Sequence, residues 1–170
     1  QDIQLHFIPL EKTPEIMTRL AEVGMTTREA CGNTVRNVTC CPLSGLSRDE
    51  LFDIRPYMMA TSHHFLRNPV CQTLPRKFKI AFEGCSKDHA RPYIHDVGVQ
   101  ALLRRSPDGK AERAASPAKL AGEPRSGVEK WERGFKVLVG GGLSTVPVVA
   151  PVLTEWASEE ELIPLIEAVL

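Results

Sequence analysis

The sequence predicts an α+β fold, with helices packed on a mixed or antiparallel sheet. Two observations carry this reading. Segments that alternate apolar and polar residues with a period of two are interspersed irregularly with segments of helical period. At least one long connection between extended segments, residues 104–127, lacks helical patterning, which departs from a regular strand–helix–strand succession. No internal repeat is visible.

Taken in order, Ile3, Leu5 and Phe7 alternate with Gln4 and His6 before Pro9 and predict a half-buried strand. Thr13 precedes Pro14 and Glu15 as an expected N-cap, with Ile16, Met17, Leu20 and Val23 at helical spacing before Gly24. This strand and helix are half of a layer and need another surface to pack on. Residues 34–41 form a second extended segment, closed by Pro42 and Gly45. Ser47 and Asp49 offer caps to a helix marked by Leu51, Ile54, Tyr57, Met58, Phe65 and Leu66, kinked or restarted at Pro56 and ended by Asn68-Pro69. Met58 and Met59 read as core filler, and His63 and His64 as solvated residues near the helix C-terminus. In residues 74–82, Phe78, Ile80 and Phe82 point to one face of a strand and Lys77 and Lys79 to the other. Further strands are expected over residues 93–103 and 134–139, the latter running into Gly140, Gly141 and Gly142. Residues 104–127 are rich in Ala, Pro, Gly, Ser and charge, with Leu120 the one bulky aliphatic, and are expected to be a flexible surface excursion. Ser158 with Glu159, Glu160 and Glu161 opens a last helix over residues 162–170, with Pro164 in its first turn.

Composition narrows the function classes. With 170 residues the chain can bury a real core. The 21 basic and 21 acidic side chains cancel, so no global field draws it to nucleic acid or anionic lipid, and any attraction for anions is local. The apolar run 146–153 is broken by prolines and falls short of the roughly 20 residues that span a bilayer. The start, Gln1-Asp2-Ile3, carries no basic and apolar leader pattern and reads as a cut end. Five cysteines (Cys31, Cys40, Cys41, Cys71 and Cys85), odd in number and irregular in spacing, suit a reducing, cytoplasmic setting.

Local chemistry centres on cations. Lys77 and Lys79 side by side need an anionic partner if their face is buried; the other reading is a solvated edge where lysines discourage strand pairing. Arg36 is a third cation on a separate strand, or an ordinary surface arginine. Cys85 and His89 are spaced to share a helical face and to hold a thiolate site, and a zinc module using Cys85, His89 and His95 is the weakest reading.

Four ordered blocks give these residues a family. They are Thr26-Thr27-Arg28-Glu29-Ala30-Cys31-Gly32-Asn33-Thr34-Val35-Arg36-Asn37-Val38, Leu74-Pro75-Arg76-Lys77-Phe78-Lys79-Ile80-Ala81-Phe82, Ile94-His95-Asp96-Val97-Gly98, and Gly134-Phe135-Lys136-Val137-Leu138-Val139-Gly140-Gly141-Gly142-Leu143. Together they resemble the siroheme-dependent nitrite and sulfite reductases. The resemblance implies six-electron reduction of nitrite to ammonia or sulfite to sulfide at a siroheme bridged to a [4Fe-4S] cluster. Electrons would come from ferredoxin or a flavoprotein. It also implies that Arg36, Lys77 and Lys79 line the substrate side of the heme, and the physics agrees: an oxyanion ~4 Å from a cation gains on the order of 4 kcal/mol at an effective dielectric near 20. Arginine binds and orients there, while lysine can also deliver protons. Arg36, Asn37, Arg76, Lys77, Lys79 and the nest-like Gly140, Gly141 and Gly142 are expected to hold the siroheme carboxylates, although for the glycines a plain strand-to-loop turn is equally open.

The resemblance divides the chain into residues 1–32, the end of a ferredoxin-like half-domain, and residues 33–170, the first siroheme-binding domain with its insertion at 104–127. Two short-spaced cysteine pairs that hold the family's cluster are absent from this sequence, so the chain reads as a fragment and no metal ligand is expected in it. His89 stands where relatives commonly carry cysteine. The alternative is a non-catalytic tetrapyrrole-binding or structural domain descended from the same family. Nitrite and sulfite want the same cations, so the residues do not choose between them.

Overall fold

The computed structural model describes residues 3–105, 111–112 and 131–170. The expected surface excursion falls largely outside the described residues; of its span, Arg104 and Arg105 belong to a core strand and 111–112 form a short one.

Six strands form one mixed sheet: β1 (Val35–Cys40), β2 (Phe78–Glu83), β3 (Val97–Arg105), β4 (Ala111–Glu112), β5 (Trp131–Val139) and β6 (Val152–Ser158). The order is β1-β2-β3-β5-β6, with β4 paired to β3. β1, β2 and β3 run parallel, whereas β5 is antiparallel to β3 and β6. Parallel neighbours cannot be joined by a hairpin, so the chain crosses between β1 and β2 through helix α2 (Arg55–Phe65). The class predicted from the irregular alternation of patterns is the one observed.

One sheet face carries the core. Val35, Ile80, Phe82, Val97, Val99, Ala101, Phe135 and Val137 pack against Ile54 and Phe65 from the α2 region. Leu162 and Ile166 of α3 (Leu162–Val169) join the same cluster. Phe52, Tyr57 and Phe135 meet edge to face, with ring centroids 5.0 to 5.8 Å apart. On the opposite face Ala81, Glu83, Gln100 and Leu138 are also buried, and Gln100 Nε2 donates to the Tyr93 hydroxyl at 3.0 Å. The face that Lys77 and Lys79 share is therefore cationic only at its start and closed further along β2.

Several boundaries differ from the sequence expectation. Residues 3–9 are not a strand: Ile3 and Leu5 are 71% and 54% exposed, and Phe7 adopts φ 58°. Alternation alone does not hold a strand, and no partner strand lies beside this segment among the described residues. Helix α1 (Thr13–Glu22) forms, but with Thr13 inside it rather than capping it, and with no buried residue. α2 begins at Arg55, so Pro56 restarts the helix rather than kinking it. Asp53 Oδ1 accepts the Arg55 backbone N–H at 3.0 Å, while Leu51 and Ile54 are buried from the loop before it. The strand expected from residue 93 starts at Val97, after a 3-10 turn at Pro92–Ile94. β6 was not expected at all. Before α3, Ser158 Oγ accepts the Glu161 N–H while Glu161 Oε2 accepts the Ser158 N–H at 2.9 Å, a reciprocal cap.

Candidate functional site

The register brings the expected site residues to one end of the sheet. Val38, Ile80, Val97 and Val139 lie in one row across β1, β2, β3 and β5. One step toward the end, Asn37 pairs with Lys79, the Lys79 backbone N–H donates to Asp96 Oδ2 at 2.9 Å, and the Asp96 carbonyl accepts the Gly140 N–H at 2.8 Å. This outer row spans three interstrand spacings of ~4.8 Å, on the order of 14 Å. Because β5 runs opposite to β2 and β3, the end of β5 and the beginnings of β1 and β2 share this edge.

Arg36 owes its position to a bulge. Val35 pairs with Phe78 and Asn37 with Lys79, so two steps on β1 match one on β2 and Arg36 is the extra residue. It lines a cleft of about 140 Å³ with Thr26, Arg28, Asn37, Ser62 and Phe65. Glu29 ties the outer wall down, accepting from the Arg67 N–H and from Gln72 Nε2 at 2.7 Å each. Arg28, absent from the sequence expectation, sits in the same cleft; its place in the first of the four blocks was the available signal. Arg36 and Lys79 are half-buried, Arg76 and Lys77 exposed. Among the described residues the side chains of Arg36, Arg76 and Lys77 join no ion pair. Just before them, Thr34 Oγ1 is buried with no hydrogen-bond partner.

Of the two readings open for the three glycines, a nest and a plain strand-to-loop turn, their amide bonding favours the turn. Gly140, Gly141 and Gly142 donate their amides to the carbonyls of Asp96, His95 and Val148 at 2.8, 3.0 and 2.9 Å, so these N–H groups are already occupied. Their absence of side chains matters instead. Gly140 has φ 85°, and a Cβ on Gly141 would lie 2.5 Å from the Tyr93 carbonyl oxygen.

At the other end of β1 and β2 a second group gathers. Cys41 follows β1, its N–H donating to the Phe82 carbonyl at 2.9 Å, and Glu83 ends β2. The Glu83 carboxylate is fully buried and accepts three backbone amides: Cys85 at 2.8 Å on Oε1, and His89 at 2.6 Å and Ala90 at 2.8 Å on Oε2. This folds residues 84–90 back so that Cys41 Sγ lies 3.7 Å from Cys85 Sγ and 3.5 Å from His89 Nδ1. Residues 85–89 are not helical, so Cys85 and His89 meet through this loop and not through helical spacing. His95 is not part of the group; its Nδ1 lies 2.8 Å from the Arg91 carbonyl. Burial pushes the Cys41 thiol up to about 12 and raises Cys85 as well. None of the five cysteines forms a disulfide.

The fold and the cationic sheet end point to one class: residues 31–170 match the family model described as "Nitrite and sulphite reductase 4Fe-4S domain", and the chain belongs to that family. It is 35% identical over 162 residues to the assimilatory ferredoxin-dependent nitrite reductase of Haloferax mediterranei, covering 95% of this chain and 24% of that protein. It is also 35% identical over 170 residues to sulfite reductase [ferredoxin] 1 of Mycolicibacterium paratuberculosis, covering 99% and 26%. Among solved structures, Mycobacterium tuberculosis NirA protein superposes with a TM-score of 0.69 at 31% identity, over 94% of this chain and 24% of that one. Dissimilatory sulfite reductase I shares the fold, with a TM-score of 0.58 at 14% identity over 91% of this chain and 50% of that one. The chain spans about a quarter of the length of the curated relatives it matches.

The family implies two prosthetic groups, and this chain's residues fit them differently. The side chains of Arg36, Arg76 and Lys77, in no ion pair among the described residues, suit a tetrapyrrole bearing many carboxylates. The cleft at Arg36, at about 140 Å³, is below the ~300 Å³ at which ligand pockets begin and has room for a small oxyanion. A [4Fe-4S] cluster wants four thiolates. Cys41 and Cys85 meet, whereas Cys31 is exposed, Cys71 is in the core and Cys40 packs against it, so the five cysteines do not gather as a four-thiolate set.

Proposed function

We propose that this chain supplies the substrate-binding and siroheme-binding cations of a nitrite or sulfite reductase that makes ammonia or sulfide by six-electron reduction. The observation that carries this reading is the register that sets Asn37 beside Lys79 at one sheet end, with Arg36 on the β1 bulge and Arg76 and Lys77 in the segment just before β2. Siroheme would supply the electron-transferring iron to which the substrate binds, and a [4Fe-4S] cluster would be held by residues outside this chain. Asn37, Arg76, Lys77 and Lys79, beside the side-chain-free backbone of Gly140, Gly141 and Gly142, would hold siroheme at this sheet end.

Arg36 fixes the oxyanion's orientation through its planar fork. Lys77 and Lys79 stabilise the negative charge that builds on the substrate oxygens, and their ammonium protons are within the chemistry needed as oxygen leaves as water. Relatives named as ferredoxin-dependent nitrite and sulfite reductases support ferredoxin as the donor. Five cysteines without a disulfide support a reducing, cytoplasmic setting, and no helix among the described residues is long and apolar enough to cross a membrane. Residues 1–32, with α1 bearing no buried residue, read as the end of a preceding unit.

The test is steady-state reduction of nitrite and of sulfite by the complete holoenzyme carrying Lys79→Met or Arg36→Gln. A cation ~4 Å from the oxyanion contributes on the order of 4 kcal/mol, so Lys79→Met is expected to lower kcat/KM by about 100- to 1000-fold. Arg36→Gln is expected to act mainly on KM. Variants that keep full siroheme absorbance and activity within about twofold of the parent would refute the reading.

A further inference from the structure

We propose that Cys41, Cys85 and His89, with Glu83 as fourth ligand, form a mononuclear zinc-type metal site at the sheet end opposite the cations. The proposal is independent of the reductase reading. The four ligand atoms lie within 4.8 Å of one another. Around a tetrahedral Zn²⁺ with Zn–S of 2.3 Å and Zn–N of 2.0–2.1 Å, two thiolates sit about 3.8 Å apart and a thiolate and an imidazole nitrogen about 3.5 Å apart. The observed separations are 3.7 Å for Cys41 Sγ to Cys85 Sγ and 3.5 Å for Cys41 Sγ to His89 Nδ1. Thiolates on separate irons of a cluster point away from one another, so this close pair suits a single ion.

The surroundings are those of a built site. Cys41, Cys85 and Glu83 are 2%, 1% and 0% exposed, and half-buried His89 leaves a way in for the ion. Glu83 is oriented by its three amide donors, and Oε1, accepting only one of them, keeps a lone pair for the metal. Two thiolates, an imidazole and a carboxylate are a borderline-soft tetrahedral set that favours zinc over magnesium or calcium. Binding releases the two thiol protons, and no electron transfer is involved.

The test is metal binding to the complete, reduced protein, stripped with a chelator and titrated anaerobically with Co²⁺, followed by difference spectra. One equivalent of Co²⁺ is expected to give the visible bands of a tetrahedral ion with thiolate charge transfer, and one equivalent of Zn²⁺ to displace it. Removing an orienting partner of a metal ligand typically weakens binding 10- to 100-fold, so losing a ligand is expected to cost about 100-fold or more. His89→Ala, at a half-exposed position, tests this where the fold is least at risk, and Cys85→Ser tests a thiolate. Octahedral or absent cobalt bands in the reduced parent, or unchanged affinity in His89→Ala, would overturn the proposal.

Discussion

Replacing Glu83 by glutamine separates what its carboxylate does for the chain from what it does for a metal. The buried carboxylate accepts amides from Cys85, His89 and Ala90 at 2.8, 2.6 and 2.8 Å, all from the loop that follows its own strand. Glutamine keeps one acceptor oxygen. Turned toward His89 and Ala90, it retains two bonds without charge assistance and sets its NH₂ against the Cys85 N–H. The Cys85 N–H and the introduced NH₂ are then both buried donors without an acceptor, at about 1–3 kcal/mol each, and each retained bond loses roughly half its strength. Removing a buried charge offsets part of this. The net expectation is a loss of about 2–4 kcal/mol, or about 5–15 °C in Tm for a chain of this length. Glu83→Ala leaves all three amides unpaired and should lose more. The assay is thermal and urea unfolding in chelator, so that metal binding does not contribute. A Glu83→Gln protein within about 1 kcal/mol of the parent would show that the carboxylate does not hold the loop.

Two further measurements probe particular contacts. Gly141→Ala would drive a Cβ to 2.5 Å from the Tyr93 carbonyl oxygen and 2.7 Å from that of His95, and is expected to cost about 1–3 kcal/mol in thermal melts. Gly142→Ala, with nothing within 4 Å of its Cβ, should stay within about 0.5 kcal/mol, and equal effects at the two positions would refute the close approach. In native-state alkylation of the metal-free chain at pH 8, Cys31 should react first and Cys41, Cys71 and Cys85 only on unfolding. All three are buried, and a thiol at about 12 holds on the order of one part in 10⁴ thiolate at that pH. Mass mapping of the label checks the order, and early labelling of Cys41 would contradict it.

What the sequence disclosed follows how local each signal is. β2 was legible from Phe78, Ile80 and Phe82 because a strand buried on one face writes its period into adjacent residues. Helix α1 was legible because Pro14 and its apolar spacing are local signals that need no neighbour. The same confidence in pattern misled at Ile3, Leu5 and Phe7, since a strand exists only beside another strand. β6 was missed although Thr154 and Trp156, between Pro151 and Ser158, are strand formers. Lys77 and Lys79 were visible as a pair from their spacing. The alignment of Lys79 with Asn37 was not, because it depends on the register of β1 against β2 across more than one secondary element. Cys41 could not have been joined to Cys85 and His89 by spacing: 44 residues separate the two cysteines, and the parallel pairing of β1 with β2 brings them together.

The irregularity at Arg36 has a further meaning. Val35 faces the core beside Phe78, and Val38 does so beside Ile80, and the supernumerary residue between Val35 and Asn37 keeps both in phase while turning Asn37 toward Lys79. A chain shortened by that single position would have a straighter ladder and the same hydrophobic interior. It would lack the Arg36 guanidinium, leaving Arg28 as the cleft's remaining arginine. On the proposed role of Arg36, the extra residue serves oxyanion binding and not the hydrophobic interior, which the shorter strand would fill equally well.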